Sequence, residues 1–284
     1  KILEDGGIVY GAGYDDNLKV VHKRAETIEQ AHEFHGSKYV QSDIDGILKK
    51  VKEDLNDGKK VLFSGTACHI AGLYKFLGKE YDNLITCDLI CHGVPTPLLF
   101  KKYVEYIEKK EKNTVKSFHF GYYNAEKGYT WNHPRREMIV FDNDKSLQSK
   151  EYISMFASNW CLRPYCHTCP YTKPERVADF TLGDCWGAEK YTHNFDYDKG
   201  VSVVFVNSEK ATMFFEGVKD CIICEEVDLE NVKKHQHNLH SPSVANKRRE
   251  KILKTLIEKD FKSAYKMDRF YYNLYCLKQK VLGK

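Results

Sequence analysis

Residues 60–93 read KVLFSGTACHIAGLYKFLGKEYDNLITCDLICHG, and this stretch decides the fold. Val61-Leu62-Phe63 is an apolar run closed by Ser64-Gly65, the pattern of a buried strand ending in a tight turn. Ala67 to Leu77 has a helical pattern, and Asn83 to Cys91 reads as a second strand that reaches His92-Gly93. Strand, glycine turn, helix and strand form a βαβ unit, so part of the sheet is parallel. In open sheets of this kind, ligands bind beyond the carboxyl ends of the strands. Two cysteine-bearing turns fall there, Ser64-Gly65-Thr66-Ala67-Cys68-His69 and Cys91-His92-Gly93-Val94-Pro95. At the start of a helix Cys68 meets free N–H groups and partial positive charge, which suits a metal ligand or a nucleophile. The plainer alternative is an ordinary strand–helix turn with a buried thiol. Neighbouring parallel strands bring Cys68 and Cys91 to one sheet edge, while Cys87, inside the strand, reads as core.

Upstream, Ile8 to Ala12 and Leu18 to His22 read as two strands joined by the turn Asp15-Asp16-Asn17. Thr27 to Phe34 and Ile44 to Leu55 read as helices ended by Gly36 and Gly58. Downstream, Pro97 to Lys109 is a helix, Val115 to Gln148 a series of short strands and turns, and residues 152–159 a short helix. Asp179 to Asp184 and Val201 to Val206 are strands, and helices dominate after Glu230. The expected fold is mixed α/β: a partly parallel sheet with a βαβ unit, an inserted loop whose closely spaced Cys161, Cys166 and Cys169 suit an iron–sulfur centre, and a helical C-terminal part. A boundary near Gly46 separates an N-terminal domain, 1–46, from a larger C-terminal domain, 47–284.

Composition narrows the function. The 284 residues are 42% hydrophobic and 30% charged, with a net charge of +4, as in ordinary globular proteins. Charges of both signs are interspersed, so nothing calls for nucleic acid. The basic residues Lys233, Lys234, Lys247, Arg248, Arg249 and Lys251 read as solvated helix faces. No apolar run reaches the ~20 residues of a membrane span, and the first residues carry no secretory signal. The expected compartment is a reducing cytoplasm, with several of the ten cysteines placed where cofactor ligands would sit.

Three of those cysteines, Cys161, Cys166 and Cys169, are spaced C-x4-C-x2-C and followed by Pro170. This is the spacing of plant-type ferredoxins, but Cys166 and Cys169 would also serve as half of a structural zinc site. Gly183-Asp184-Cys185-Trp186-Gly187 follows a strand and could let backbone approach a flat cofactor. Gly36-Ser37-Lys38-Tyr39-Val40-Gln41-Ser42 combines hydroxyls, a cation and an aromatic ring, groups able to hold a phosphate and stack on a ring. Cys221-Ile222-Ile223-Cys224 lies in a strand-like apolar run, where positions three apart face opposite ways; both thiols read as structural, as does Cys276. His235, His237 and His240 read as a surface cluster.

Taken together, the segments 36–42, 65–73, 91–95, 163–169 and 178–187 resemble, in order, the beta subunit family of coenzyme F(420) hydrogenases and dehydrogenases, which includes bacterial relatives and 7-hydroxymethyl chlorophyll a reductase. The resemblance covers nearly the whole chain. It departs at Ala67 and His69, where the family has Pro and Gln around the cysteine, and at Cys185, where Phe is usual. It implies an oxidoreductase with FAD and one 4Fe–4S cluster. Its ligands would be Cys68, Cys91, Cys166 and Cys169, with Cys161 and Cys185 in reserve. Ser37, Lys38, Tyr39, Gln41, Ser42, Ser64, Gly65, Thr66, His92, Gly93, Gly183 and Asp184 would hold the flavin. Lys38 would face the pyrophosphate or the reduced ring, and His92 and Tyr39 are candidates for a general acid. The implied partners are a ferredoxin-like donor, separate or carried on an N-terminal domain outside this sequence, and a small organic hydride acceptor. The rival readings are an interaction module braced by a four-cysteine zinc site and a pure electron carrier.

Overall fold

A computed structural model of the chain describes residues 1–121 and 136–281. Its centre is a six-stranded sheet. The strands are β1 (Ile8–Tyr14), β2 (Val20–Ala25), β3 (Val61–Ser64), β4 (Leu84–Leu89), β8 (Phe180–Asp184) and β9 (Ser202–Val206). They lie in the order β2-β1-β3-β4-β8-β9. β1, β3, β4 and β8 run parallel, and β2 and β9 close the two edges antiparallel. This is the mixed, partly parallel sheet the βαβ pattern requires. Leu18 adopts φ 59 in the first turn, so β2 starts two residues later than its apolar pattern suggests.

The helices α1 (Ile28–His32), α2 (Ile47–Asn56) and α3 (Ala67–Leu77) precede β4. Helix α3 has the expected bounds: Thr66 stands at its N-cap, and Gly78, at φ 72, ends it. Its buried Ile70, Leu73 and Leu77 pack with Val51, Leu55, Val61 and Phe63 in one core.

A second core lies on α4 (Pro97–Glu111) and a three-stranded sheet, β5 (Val115–His119), β6 (Glu137–Phe141) and β7 (Ser146–Ser149). Of the strand-rich stretch expected over 115–148, residues 122–135 lie outside the described residues. Helix α5 (Glu151–Ala157) leads from this sheet to the cysteine loop. Its Ile153 N–H donates to the buried carboxylate of Glu137 at 2.5 Å. After β9 come α6 (Glu209–Glu216), α7 (Leu229–His235), α8 (Arg249–Glu258) and α9 (Phe261–Val281), the helical C-terminal part. Phe261 and Ala264 of α9 and Leu256 of α8 complete the second core. Among the described residues no helix is long and apolar enough to cross a membrane.

The segment Cys221 to Cys224 is not a strand. A 3-10 turn, Lys219–Cys221, leads into irregular chain, and both thiols are exposed. The strand-like composition reflects an exposed apolar loop, with Ile223 80% exposed.

Candidate functional site

Because β3, β4 and β8 are parallel, their carboxyl ends share one edge of the sheet. β3 ends at Ser64 and passes through Gly65-Thr66 into α3, with Thr66 Oγ1 3.1 Å from Cys68 Sγ. Beyond β4 the chain continues through Cys91 and pairs with the loop after α5. Pro95 bridges Leu162, Arg163 N–H donates to Val94 O at 3.0 Å, and Thr96 N–H donates to Cys161 O at 3.0 Å. This pairing carries the next turn, the 3-10 segment Pro164–Thr168, onto the sheet edge. Val94 N–H then points at Cys166 Sγ, 3.5 Å away.

Gly93 permits the close approach. It adopts φ +129, and a Cβ there would lie 2.8 Å from Leu162 Cδ1 and 3.3 Å from Cys166 Cβ. Gly93→Ala is expected to cost about 1–3 kcal/mol in backbone strain alone, which denaturant unfolding of the variant measures.

Cys68, Cys91, Cys166 and Cys169 all line one cleft of about 460 Å³, open to solvent, together with Thr66, His92, Gly93, Tyr165, Tyr171 and Arg176. Three separate segments thus deliver four thiols to one space. Burial pushes the Cys91 thiol up to about 12, and the neighbouring Cys166, Cys68 and Cys169 push it the same way. Cys169 is raised by burial as well, again with Cys68 and Cys166 adding to it. A bound cation is what reverses this preference, since metal coordination deprotonates a thiol outright. Among the described residues no three His, Cys, Asp or Glu side chains converge closely enough to hold a single metal ion. The four thiols ring the cleft instead.

Of the expected flavin residues, Thr66, His92 and Gly93 line this cleft; the other nine do not. His92 Nε2 lies 2.6 Å from Asn159 Oδ1, its carbonyl accepts from Ser243 Oγ at 2.5 Å, and its ring meets Phe156 edge-on. Burial holds its pKa below the usual histidine value. Ser42 and Ser64 are joined through the buried ring of His22, whose Nδ1 is 2.7 Å from Ser42 Oγ and whose Nε2 is 3.0 Å from Ser64 O. Gly65 lies against His69 and His22. Tyr39 stacks on Phe156 at 4.8 Å and accepts from Tyr152 Oη at its carbonyl. Gln41 N–H donates to Pro95 O at 3.2 Å, tying segment 37–42 to the end of β4, while Ser37 is exposed. The ammonium of Lys38 donates to the carbonyls of Glu33 at 2.7 Å and His35 at 3.0 Å, and burial lowers its pKa to about 8.

Gly183 lies within β8, in the strand expected over 179–184, and the space beside it is filled by Ile90, 2.7 Å from a Cβ placed there. The carbonyl of Asp184 accepts from Gln236 Nε2. Cys161 is fully buried in the second core, and its thiol points at Met155 O at 3.7 Å. The first thiol of C-x4-C-x2-C is therefore packed with Trp160 and Leu162 in the second core and does not line the cleft. Cys185 is buried elsewhere, 3.2 Å from Tyr191 Oη.

Sequence reasoning passed over His22, Tyr165, Tyr171 and Arg176. Tyr171 lies two residues beyond Cys169 and so was within reach of a local reading. The setting of His22 and Arg176 depends on partners brought together only by the tertiary fold.

A family profile for the C terminus of the coenzyme F(420) hydrogenase/dehydrogenase beta subunit matches residues 58–232. Among solved structures the chain is similar to one from the xenon-derivatized F(420)-reducing NiFe hydrogenase complex of Methanosarcina barkeri. The two share 15% identity with a TM-score of 0.50, over 90% of this chain and 83% of that one. That likeness is one of fold. No curated protein sequence matches the chain.

Proposed function

The chain belongs to the coenzyme F(420) hydrogenase/dehydrogenase beta subunit family, and from that premise we propose that it is an oxidoreductase subunit whose sheet edge holds a 4Fe–4S cluster beside FAD. The observation that carries the reading is the convergence of Cys68, Cys91, Cys166 and Cys169 on one cleft. Four cysteine thiolates are the ligand set of such a cluster. The cluster would supply one-electron steps and the flavin their conversion to a hydride, with the protein setting position and potential. A ferredoxin-like donor would approach the open mouth of the cleft, where Tyr165 is 53% exposed. A small organic molecule would accept the hydride.

The residues fit the flavin through charge and stacking. Lys38 is a half-buried cation resting on two carbonyls, with no carboxylate at ion-pair distance among the described residues. Glu33, the acid whose charge acts on it, is paired with Lys23. A diphosphate would supply the missing negative charge, and Tyr39 stands next to Lys38 as a ring to stack on. Gln41 and Ser42 hold this segment against β4 and β3, which places it beside the thiol cleft.

The test is analysis of anaerobically purified protein. About four irons and one flavin per chain are expected, with the broad absorption of a cubane cluster. Zinc in place of iron, with no flavin, would overturn the reading in favour of a zinc-braced interaction module. Iron and flavin that cycle without turnover of any hydride acceptor would leave an electron carrier.

Lys38 gives the flavin site a pH dependence. Its folded pKa, about 8, lies below the usual lysine value, so the charge is present below pH 8 and lost above it. The unfolded chain keeps its proton up to the usual lysine value, so this group's contribution to stability rises with pH across that window. Flavin affinity runs the opposite way and is expected to fall as pH rises through about 8. Lys38→Met should abolish the dependence and weaken binding by about tenfold or more, the worth of one charge-assisted hydrogen bond. Fluorescence titration of flavin from pH 6 to about 10 reads both, and an unchanged pH profile in Lys38→Met would count against the assignment.

A further inference from the structure

We infer that Arg176 is a positioning residue that sets the spacing between the thiols of Cys91 and Cys169, an inference that rests on the four-thiol cleft as a cluster site. Arg176 lines that cleft, and its side chain is only 2% exposed. All five of its N–H groups are used, and they divide between two segments. Nη1 donates to the carbonyls of Tyr171 at 2.6 Å and Lys173 at 3.3 Å, the chain leaving Cys169. Nη2 donates to Asp88 Oδ2 at 3.1 Å and Leu89 O at 3.0 Å, the end of β4 just before Cys91. Nε reaches Thr181 Oγ1 at 3.3 Å on the neighbouring strand, and Thr181 in turn donates to Asp88 Oδ1 at 2.5 Å.

The guanidinium is a rigid planar fork, and here each side of the fork holds one ligand-bearing segment. Cys169 has little else to fix it. It follows a five-residue 3-10 turn and precedes Pro170, with no regular strand or helix to carry it. Thr172 Oγ1 closes a local turn onto the Cys169 carbonyl, but that bond lies within the loop and does not tie it to the sheet. The contacts of Arg176 provide that tie. Cys68 and Cys166 are held by other means, the start of α3 and the pairing of 161–163 with 94–96.

The test compares wild type, Arg176→Met and Arg176→Lys as full-length chains, first as anaerobic apoprotein and then after reconstitution with ferrous iron and sulfide. Apoprotein is treated with a short bismaleimide, and cross-linked peptide pairs are quantified by mass spectrometry. Arg176→Met is expected to lose the Cys91–Cys169 cross-link while keeping the Cys68–Cys91 cross-link, a selective change that general destabilisation would not produce. Its affinity for iron should fall about 10- to 100-fold, as for other partners that orient metal ligands. Arg176→Lys keeps the charge without the fork and should recover only part of the cross-link. A folded Arg176→Met that links Cys91 to Cys169 at the wild-type yield overturns the inference. If Arg176→Met does not fold, Arg176→Lys decides, and a full wild-type yield in that variant overturns it. Wild type that cross-links as expected but takes up no iron overturns the cluster reading alone.

Discussion

If the proposed cluster is held as argued, Cys91→Ser is expected to leave the reconstituted protein with less than about one iron per chain, against about four expected of the wild type, and without electron transfer to flavin. Cys91 lies just beyond the end of β4, and burial pushes its thiol toward the protonated form. Serine at that position offers a hydroxyl far harder to ionise than a thiol, so a cluster bound there would lose one ligand. The control is Cys161→Ser, only five residues before Cys166 in the chain. Cys161 packs among Trp160, Leu162 and Met155, so this variant should keep its iron. It should lose about 1–3 kcal/mol of stability for burying a hydroxyl. Iron analysis, visible absorption and denaturant unfolding of the two variants settle the contrast. Full iron in Cys91→Ser, or iron loss in a folded Cys161→Ser, would remove Cys91 from the ligand set or put Cys161 into it.

That contrast shows what the sequence could and could not reveal. Helix α3 was legible to the residue because glycines bracket it and its apolar positions repeat at helical spacing. The parallel order of β3 and β4 followed from their connection, and with it the meeting of Cys68 and Cys91 at one edge. The local thiol spacing carries no information about which side of a loop faces the core: Cys161, only a reserve ligand in the family resemblance, packs there with Trp160 and Leu162, in a segment anchored to residues 94–96 some 65 positions away. At Gly183 the missing side chain makes room for Ile90 of the adjoining strand end, a packing contact that the motif itself does not announce. Ion pairs within a sheet are the least legible of all. Asp88 sits in the apolar run Leu84–Leu89, where a carboxylate gives no hint of its partner.

Asp88→Ala is expected to destabilise the apoprotein by about 3–5 kcal/mol, the cost of stranding a buried charge. Asp88 is fully buried, and burial raises its pKa, opposed by the Thr181 hydroxyl and by Arg176. The carboxylate answers the guanidinium of Arg176, whose remaining partners are neutral oxygens of Tyr171, Lys173, Leu89 and Thr181. Without Asp88 that charge has no counter-ion at hydrogen-bond distance among the described residues, on a side chain only 2% exposed. The loss therefore belongs to the unpaired arginine more than to the missing acid, and a double variant separates the two. Asp88→Ala with Arg176→Met should be more stable than the sum of the single losses by about 1–3 kcal/mol, within the range for coupled neighbours. Urea unfolding of the three apoproteins measures the coupling. Strictly additive losses would mean that the two groups do not act as a pair. Coupling in the apoprotein would mean that the brace between the Cys91 and Cys169 segments is built by the fold before any metal enters.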